Sequence, residues 1–249
     1  NQQEVNKKIN EYVKKEVKLC VAVKADGYGH NAVITAQIAE KVGAAFVAVA
    51  TVEEGIELRD GGIKCGILLL SLCTPSEMPA LFEYKITPLV FGEDYIKLVA
   101  ETAKSEGYYD YKVHLAVDTG MGRIGCYPEE AGDQAVLIEK SGLKLGGMCT
   151  HFAVSDSLSS ENIDFTKEQF ESFKTAVECV KEKGIEPGIC SCGASAALLN
   201  DEDMQFDMVR PGIITYGYYP DEITKEYLEK TGRHFDIKPV LALETKVVA

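Results

Sequence analysis

The chain has 249 residues, of which 46% are hydrophobic and 26% are charged. These proportions are typical of a globular protein of one large or two small domains, and they exclude a disordered, collagen-like or low-complexity chain. The formal net charge of −13 disfavours nucleic acid and anionic membrane surfaces as partners. The uncharged apolar runs are far shorter than the roughly 20 residues of a spanning helix, so no membrane segment is predicted.

Short apolar or β-branched runs alternate along the chain with amphipathic stretches, a pattern typical of repeated βα units around a parallel sheet. The predicted strands are residues 19–24, 45–50, 66–71, 86–91, 112–118, 145–152, 187–193 and 207–213. Eight strands, each followed by a helix, within about 200 residues predict an α/β fold of the (β/α)8 type, a TIM barrel. An open doubly wound sheet is the alternative, because a strand count made from one sequence can differ by one or two.

Several helix boundaries are also predicted. Capping boxes at residues 51–54 and 166–169 indicate that helices begin there, because the Thr hydroxyl and the Glu or Gln side chain satisfy opposite backbone amides. Apolar residues after the second box recur in steps of three and four up to Gly184, which ends that helix. Pro128 is predicted as a first helical residue, and Gly142 as a helix terminator.

The character of the sequence changes after Tyr219. Residues 1–219 are predicted to form the barrel. Residues 220–233 are polar, and residues 239–249 have the pattern of an apolar strand. We therefore expect residues 220–249 to be a linker followed by the first strand of a second, mostly β domain that is cut off near its start.

The eight cysteines are spread through apolar runs of a chain that is large enough to fold without disulfides. We therefore expect free, buried thiols and a cytoplasmic location, where thiols stay reduced. Cys190 and Cys192 form the only close pair. Because no second pair stands at ligand spacing, we expect no metal site.

Functional groups of a parallel barrel gather at the carboxyl ends of its strands, because the loops that follow the strands meet on one rim. Four basic or potentially basic residues follow predicted strands: Lys24, Arg123, His151 and Arg210. Together they predict an anion-binding rim in a protein that is acidic overall, and Lys24 is placed to react with a carbonyl group. Taken singly, Lys24 also fits a surface lysine and His151 a core histidine.

The loops after the seventh and eighth predicted strands offer a phosphate site. They contain backbone N–H groups around Gly212 and Ile213, and Ser195 adds a hydroxyl. Such groups bind phosphate without a net positive charge, and barrels commonly hold a phosphate at this place. Helix capping by Ser195 is the alternative.

Four segments, in order, resemble the successive signatures of the alanine racemase family. They are residues 21–30 (VAVKADGYGH), 117–125 (VDTGMGRIG), 150–152 (THF) and 207–213 (DMVRPGI). The resemblance covers essentially the whole chain. It implies a barrel that binds pyridoxal 5′-phosphate (PLP), joined to a carboxyl-terminal β domain in a head-to-tail homodimer. It further implies a small amino-acid substrate and the interconversion of L- and D-alanine.

The resemblance implies three catalytic residues. Lys24 would hold PLP as an aldimine and act as one of two acid/base groups at the substrate α-carbon. Arg123 would orient the cofactor oxygen and the substrate carboxylate. His151 would lie against the pyridine ring.

The resemblance also implies further cofactor contacts. Tyr28, Ser195 and the backbone of Gly212 and Ile213 would bind the phosphate, and Arg210 would contact the ring nitrogen. Because a guanidinium cannot stabilise a proton on that nitrogen as a carboxylate would, the ring would be a weaker electron sink.

The chain departs from the family pattern at three points. The second base of the family is a tyrosine of the carboxyl-terminal domain, supplied by the partner subunit, and the chain ends before that position. We therefore expect this chain to bind PLP but to racemise poorly or not at all alone. Ala116 stands where many members carry a modified lysine that braces the arginine matching Arg123, and Ala194 replaces an asparagine beside Ser195.

Three other functions stay open on the sequence. One is a serine racemase of the same family, whose parent protein could be membrane-tethered. Another is a non-catalytic barrel that only binds PLP. The third is a decarboxylase on a related barrel, which Arg210 disfavours because the ring-nitrogen partner of such enzymes is normally acidic.

Overall fold

Eight short parallel strands form the centre of the molecule. The computed structural model describes residues 1–242. Its strands are β1 (Lys18–Ala22), β2 (Phe46–Val49), β3 (Gly66–Leu69), β4 (Ile86–Val90), β5 (Tyr111–Ala116), β6 (Leu143–Cys149), β7 (Ile189–Ser191) and β8 (Met208–Val209).

Helices connect the strands and pack around the outside of the sheet. They are α1 (Gln2–Tyr12), α2 (Ala32–Lys41), α3 (Val52–Asp60), α4 (Met78–Glu83), α5 (Glu93–Ser105), α6 (Ala131–Lys140), α7 (Ser160–Glu182), α8 (Ser195–Asn200) and α9 (Lys225–Lys230), with 3-10 turns at Pro128–Glu130, Glu202–Gln205 and Ile213–Tyr216.

Consecutive strands are neighbours from β1 to β7, and β8 pairs with the free side of β1. The seam between β7 and β8 is bridged by backbone hydrogen bonds from Asp207 N–H to the Cys190 carbonyl (3.1 Å) and from Arg210 N–H to the Gly193 carbonyl (2.8 Å). This order confirms the predicted TIM barrel. It excludes the doubly wound alternative, whose strand order reverses partway across the sheet.

Apolar side chains fill two layers. Residues between the strands and the surrounding helices form the larger core. A second cluster of mostly small side chains lies inside the barrel, and it consists of Cys20, Ala48, Leu68, Leu89, Ala116, Cys149 and Met208. All eight cysteines, which lie within the described residues, are free thiols.

Two predicted boundaries are wrong in an informative way. Strand 19–24 is too long, because β1 ends at Ala22 and the segment Lys24–Gly29 turns the chain over the rim towards α2. Thr166 does not begin a helix: α7 starts earlier, with Ser159 as its N-cap, and the Thr166 hydroxyl donates to the Asn162 carbonyl within the helix. A serine cap upstream therefore takes precedence over the Thr–Gln spacing.

The other capping signals hold in part. The Thr51 hydroxyl caps α3 by accepting from the Glu54 N–H (3.3 Å). The Glu54 carboxylate does not complete the box, because it accepts from other backbone amides. Pro128 begins the 3-10 turn that leads into α6, and Gly142 follows that helix with φ +88°, as predicted.

The segment after the barrel packs against it as far as the structure describes it. Ile223, Leu228, Phe235 and Ile237 are buried in the larger core. Residues 239–242 of the predicted strand 239–249 have no strand structure, and its remainder, 243–249, lies outside the described residues. Across residues 1–242, none of the helices combines the length and apolar character needed to cross a membrane.

A histidine lies inside the barrel without a polar partner for one ring nitrogen. His114 on β5 is 2% exposed, and its Nδ1 makes no hydrogen bond within the described residues. Its ring occupies space left by Gly147 on β6, where an added Cβ would lie 2.6 Å from His114 Cε1. Burial, followed by the charge of Arg210, lowers the pKa of His114 to about 4, so the ring is neutral at pH 7.

This burial predicts a pH-dependent stability. In the unfolded chain, the histidine pKa is about 6.5, so the ring is protonated as the pH falls below that value. In the folded protein, His114 is protonated only near pH 4. The stabilisation is thus complete above pH 6.5 and is lost as pH falls. Between pH 7 and pH 5.5, His114 alone should lower the free energy of unfolding by about 1 kcal/mol. Urea unfolding of the wild type and His114→Met should show a smaller loss in the variant; equal losses would contradict the buried neutral ring.

Candidate active site

A cavity of about 460 Å³ opens at the rim formed by the carboxyl ends of the strands. This volume lies in the range of small-molecule sites, and the rim is where TIM barrels carry their active sites. Every residue that the sequence singles out for catalysis or cofactor binding lines it: Lys24, Tyr28, Arg123, His151, Ser195, Arg210, Gly212 and Ile213.

The segment after β1 has an uncommon backbone conformation. Ala25, Asp26, Gly27 and Tyr28 all have φ between +51° and +60°, with ψ between +36° and +53°. Left-handed helical angles cost roughly 1–2 kcal/mol for each residue that carries a Cβ. Such strain persists only where the surroundings fix it, and it concentrates at functional sites.

Contacts within the segment and with neighbouring elements hold this left-handed turn. Gly27 N–H donates to the Val23 carbonyl (2.7 Å), and Ala32 N–H donates to Asp26 Oδ1 (2.8 Å). The Tyr28 ring lies 4.9 Å from the Tyr216 ring. The turn brings half-buried Lys24 and the more exposed Tyr28, four residues apart, into the same cavity.

Arg210, just after β8, is 6% exposed. Groups at the ends of neighbouring strands accept hydrogen bonds from its guanidinium. Its guanidinium donates to Ser191 Oγ (2.5 Å), to the Thr150 carbonyl (2.6 Å) and to His151 Nδ1 (3.4 Å). A guanidinium only donates, so His151 Nδ1 must accept and the proton of the neutral ring is on Nε2. The arginine thereby fixes both the position and the tautomer of His151.

His151 is neutral in this setting. Burial lowers its pKa to about 3, with further contributions from the positive charges of Arg210, Arg123 and Lys24. Each of these charges repels the imidazolium form. The same three groups make this part of an acidic protein locally positive, which suits an anionic ligand.

The hydroxyls of Tyr28 and Ser195 converge near Gly212. Gly212 N–H donates to Ser195 Oγ (3.0 Å), and a Cβ built on Gly212 would lie 3.1 Å from the Tyr28 hydroxyl. Burial raises the pKa of Tyr28, so its hydroxyl keeps its proton. Ser195 does not cap α8, whose N-cap is Ala194. The capping alternative for Ser195 is therefore wrong.

Arg123 lies in a tight loop after β5. Asp118 Oδ1 accepts from the N–H groups of Gly120 (2.9 Å) and Gly122 (3.0 Å). Gly125 allows the loop to close, because a Cβ there would lie 2.3 Å from the Asp118 nitrogen. The exposed Arg123 side chain has no side-chain hydrogen bond within residues 1–242, and Ala116 lines the same cavity.

Sequence reasoning missed several contributors to the site, and two of them show why. Cys149, at the end of β6, lines the cavity, but its position in an apolar run pointed only to a buried thiol. Glu54 contacts the left-handed turn from α3, but its spacing from Thr51 indicated only a helix cap. No sequence signal marks either contact, because both depend on tertiary packing.

Comparisons with known proteins agree with one another. The family described as "Alanine racemase, N-terminal domain" matches residues 3–220. The alanine racemase of Treponema denticola is 44% identical over 249 residues, which are 100% of this chain and 62% of that protein. That of Treponema pallidum is 38% identical over 209 residues, covering 83% of this chain and 55% of that protein.

Solved structures show the same similarity. Alanine racemase from Clostridium difficile 630 matches with a TM-score of 0.86 at 34% identity, over 96% of this chain and 60% of that chain. A structure from Bacillus anthracis with bound L-Ala-P matches with a TM-score of 0.84 at 30% identity, over 96% of this chain and 60% of that one.

The chain spans 62% and 55% of the lengths of the two Treponema relatives, and its barrel and rim residues lie within the matched segment. The family match over residues 3–220, the identity to curated members and the shared barrel lead to one assignment. This chain belongs to the alanine racemase family.

Proposed function

We propose that this chain is the PLP-binding barrel of an isomerase that interconverts L- and D-alanine. The observation that carries the proposal is that one cavity collects the Lys24 amine, the Arg210–His151 pair and the hydroxyls of Tyr28 and Ser195. The names of the relatives support alanine over serine as the substrate. The free thiols support a reducing compartment such as the cytoplasm.

The residues present fit PLP. Gly212 leaves an open cradle beside two hydroxyls, because a side chain there would crowd the Tyr28 hydroxyl. Tyr28, Ser195 and the backbone N–H groups of Gly212 and Ile213 would hold the phosphate. Lys24 would bond to the aldehyde carbon, and His151 would lie against the ring.

Bound PLP would supply an electron sink, which makes the hydrogen on the substrate α-carbon easier to remove as a proton. Arg210 would donate to the ring nitrogen, and its contacts with Ser191, Thr150 and His151 hold it there. Since a guanidinium keeps its protons, Arg210 cannot protonate the ring. This arrangement favours return of a proton to the α-carbon over side reactions, and it disfavours the decarboxylase alternative.

Lys24 would take or give the α-proton on one face of the substrate, and Arg123 would orient the substrate carboxylate. His151 is a poor candidate for the second base, because its pKa of about 3 leaves it weakly basic. We propose that a tyrosine from the partner subunit of a homodimer supplies the second base, from the carboxyl-terminal region that the family carries. The 249-residue chain alone should then bind PLP and racemise poorly.

The first test is exchange of the α-hydrogen. A longer polypeptide that includes the family's carboxyl-terminal domain, incubated with PLP and L-alanine in D₂O, should incorporate deuterium at the α-carbon and yield both enantiomers. Lys24→Ala should slow exchange by about 1,000-fold, because it removes an acid/base group. Lys18→Ala, at the other end of β1, is the matched control and should leave exchange unchanged. Equal rates in wild type and Lys24→Ala would refute the role of Lys24.

The second test concerns the Arg210–His151 pair. Arg210→Met keeps most of the buried volume and removes the charge, so the pKa of His151 should rise from about 3. The four histidines can be followed by NMR during a pH titration, with His151→Gln identifying the resonance. Wild-type His151 should stay neutral down to about pH 4, whereas the variant should titrate at higher pH. A wild-type resonance that titrates near pH 6.5 would mean that the pair does not form in solution.

A further inference from the structure

The Glu54 carboxylate connects the ends of two neighbouring strands on the rim. Its Oε1 accepts from Ala25 N–H (2.7 Å), one residue after Lys24, and its Oε2 accepts from Ala50 N–H (2.7 Å), one residue after β2. Thr51 already caps the first turn of α3. The carboxylate is therefore free to bridge the strand ends.

The amide that Glu54 engages opens the left-handed turn. Ala25 has φ +52° and ψ +53°, a conformation that alanine adopts at a cost of roughly 1–2 kcal/mol. A hydrogen bond from an amide to a carboxylate is about twice as strong as one between neutral groups. Without this acceptor, the first residue of the turn would lose the contact that anchors it to β2 and α3.

Lys24 and Tyr28 both depend on this turn for their position. Lys24 immediately precedes Ala25, and Tyr28 is the last of the four left-handed residues. If the turn relaxed towards ordinary backbone angles, the amine and the phenol would move relative to each other, and both line the cavity. A shift of about 1 Å is enough to lower the efficiency of such a site strongly.

We propose that Glu54 is a positioning residue that holds the left-handed turn and so presents Lys24 and Tyr28 to the cofactor. It acts through the backbone and does not itself line the cavity. Its effect on PLP binding rests on the proposed function, whereas its effect on the turn does not.

The chain offers a matched control at the opposite end of the barrel. Glu40 Oε1 accepts from the N–H groups of Lys64 (2.7 Å) and Cys65 (2.6 Å), just before β3. Glu40→Gln removes the charge from a carboxylate that also binds two backbone amides, far from the rim; because one oxygen accepts both bonds, the substitution weakens them without removing either.

Hydrogen exchange in the 249-residue chain tests the turn directly. In Glu54→Gln, the single side-chain oxygen can accept from Ala25 N–H or from Ala50 N–H but not from both, so the bond to Ala25 is either lost or reduced to a weaker neutral one. Backbone amides of residues 23–31 should exchange about 10- to 100-fold faster than in the wild type, while Glu40→Gln should accelerate exchange only near residues 63–66. Glu54→Asp, which keeps the charge but is one methylene shorter, should give an intermediate rate. Unchanged exchange of residues 23–31 in Glu54→Gln would overturn the proposal.

A titration of absorbance with PLP completes the test. Glu54→Gln should weaken PLP binding by about 10- to 100-fold, and Glu40→Gln should leave it unchanged even where both variants lose thermal stability equally. If Glu54→Gln exchanged faster in the turn but bound PLP as tightly as the wild type, Glu54 would have only a structural role, and the proposal would be contradicted. If the wild-type chain failed to bind PLP, the proposed function would be contradicted, and the exchange rates would still decide whether Glu54 holds the turn.

Discussion

The chain must reverse direction over the rim between the end of β1 at Ala22 and the start of α2 at Ala32, and it does so through a left-handed turn. Residues with a Cβ occupy that turn at an energetic cost, and the surrounding contacts offset it. Because Lys24 immediately precedes the turn and Tyr28 ends it, the Lys24 amine and the Tyr28 hydroxyl, which we propose to hold PLP, are set by a single backbone conformation. The other site residues reach the cavity from β5 to β8, so the barrel has only to bring those strand ends to the same rim.

Electrostatics explains how an acidic protein could hold the anionic cofactor that we propose. The net charge of −13 repels anions at long range, but inside the cavity Lys24, Arg123 and Arg210 surround a histidine that burial and their charges keep neutral. The hydroxyls and backbone amides near Gly212 add partial positive charge without adding groups that are charged at neutral pH. Arg210 connects the ends of three strands at the cavity. It follows β8, it donates to Thr150 after β6 and to Ser191 on β7, and it fixes the tautomer of His151.

Periodicity predicted the barrel because each strand is a short apolar run between amphipathic stretches, and the rim residues followed from their places after those runs. Spacing could not predict where the strand ends before Lys24, since Val23 continues the apolar pattern although β1 has already ended at Ala22. It also misassigned Glu54 and Thr166, whose side chains are used in contacts that depend on tertiary structure or on a competing cap. His114 packs against Gly147, a residue 33 positions away on the neighbouring strand, so no local sequence pattern predicts this contact.

Reductive trapping measures the central claim most directly, namely that the rim of this barrel presents one reactive amine to PLP. The wild-type chain and Lys24→Ala would be mixed with PLP, reduced with borohydride and digested, and the pyridoxyl-labelled peptides mapped by mass spectrometry. The account predicts a single label on Lys24 in the wild type and none in the variant. Labels spread over surface lysines, equally in both proteins, would contradict it.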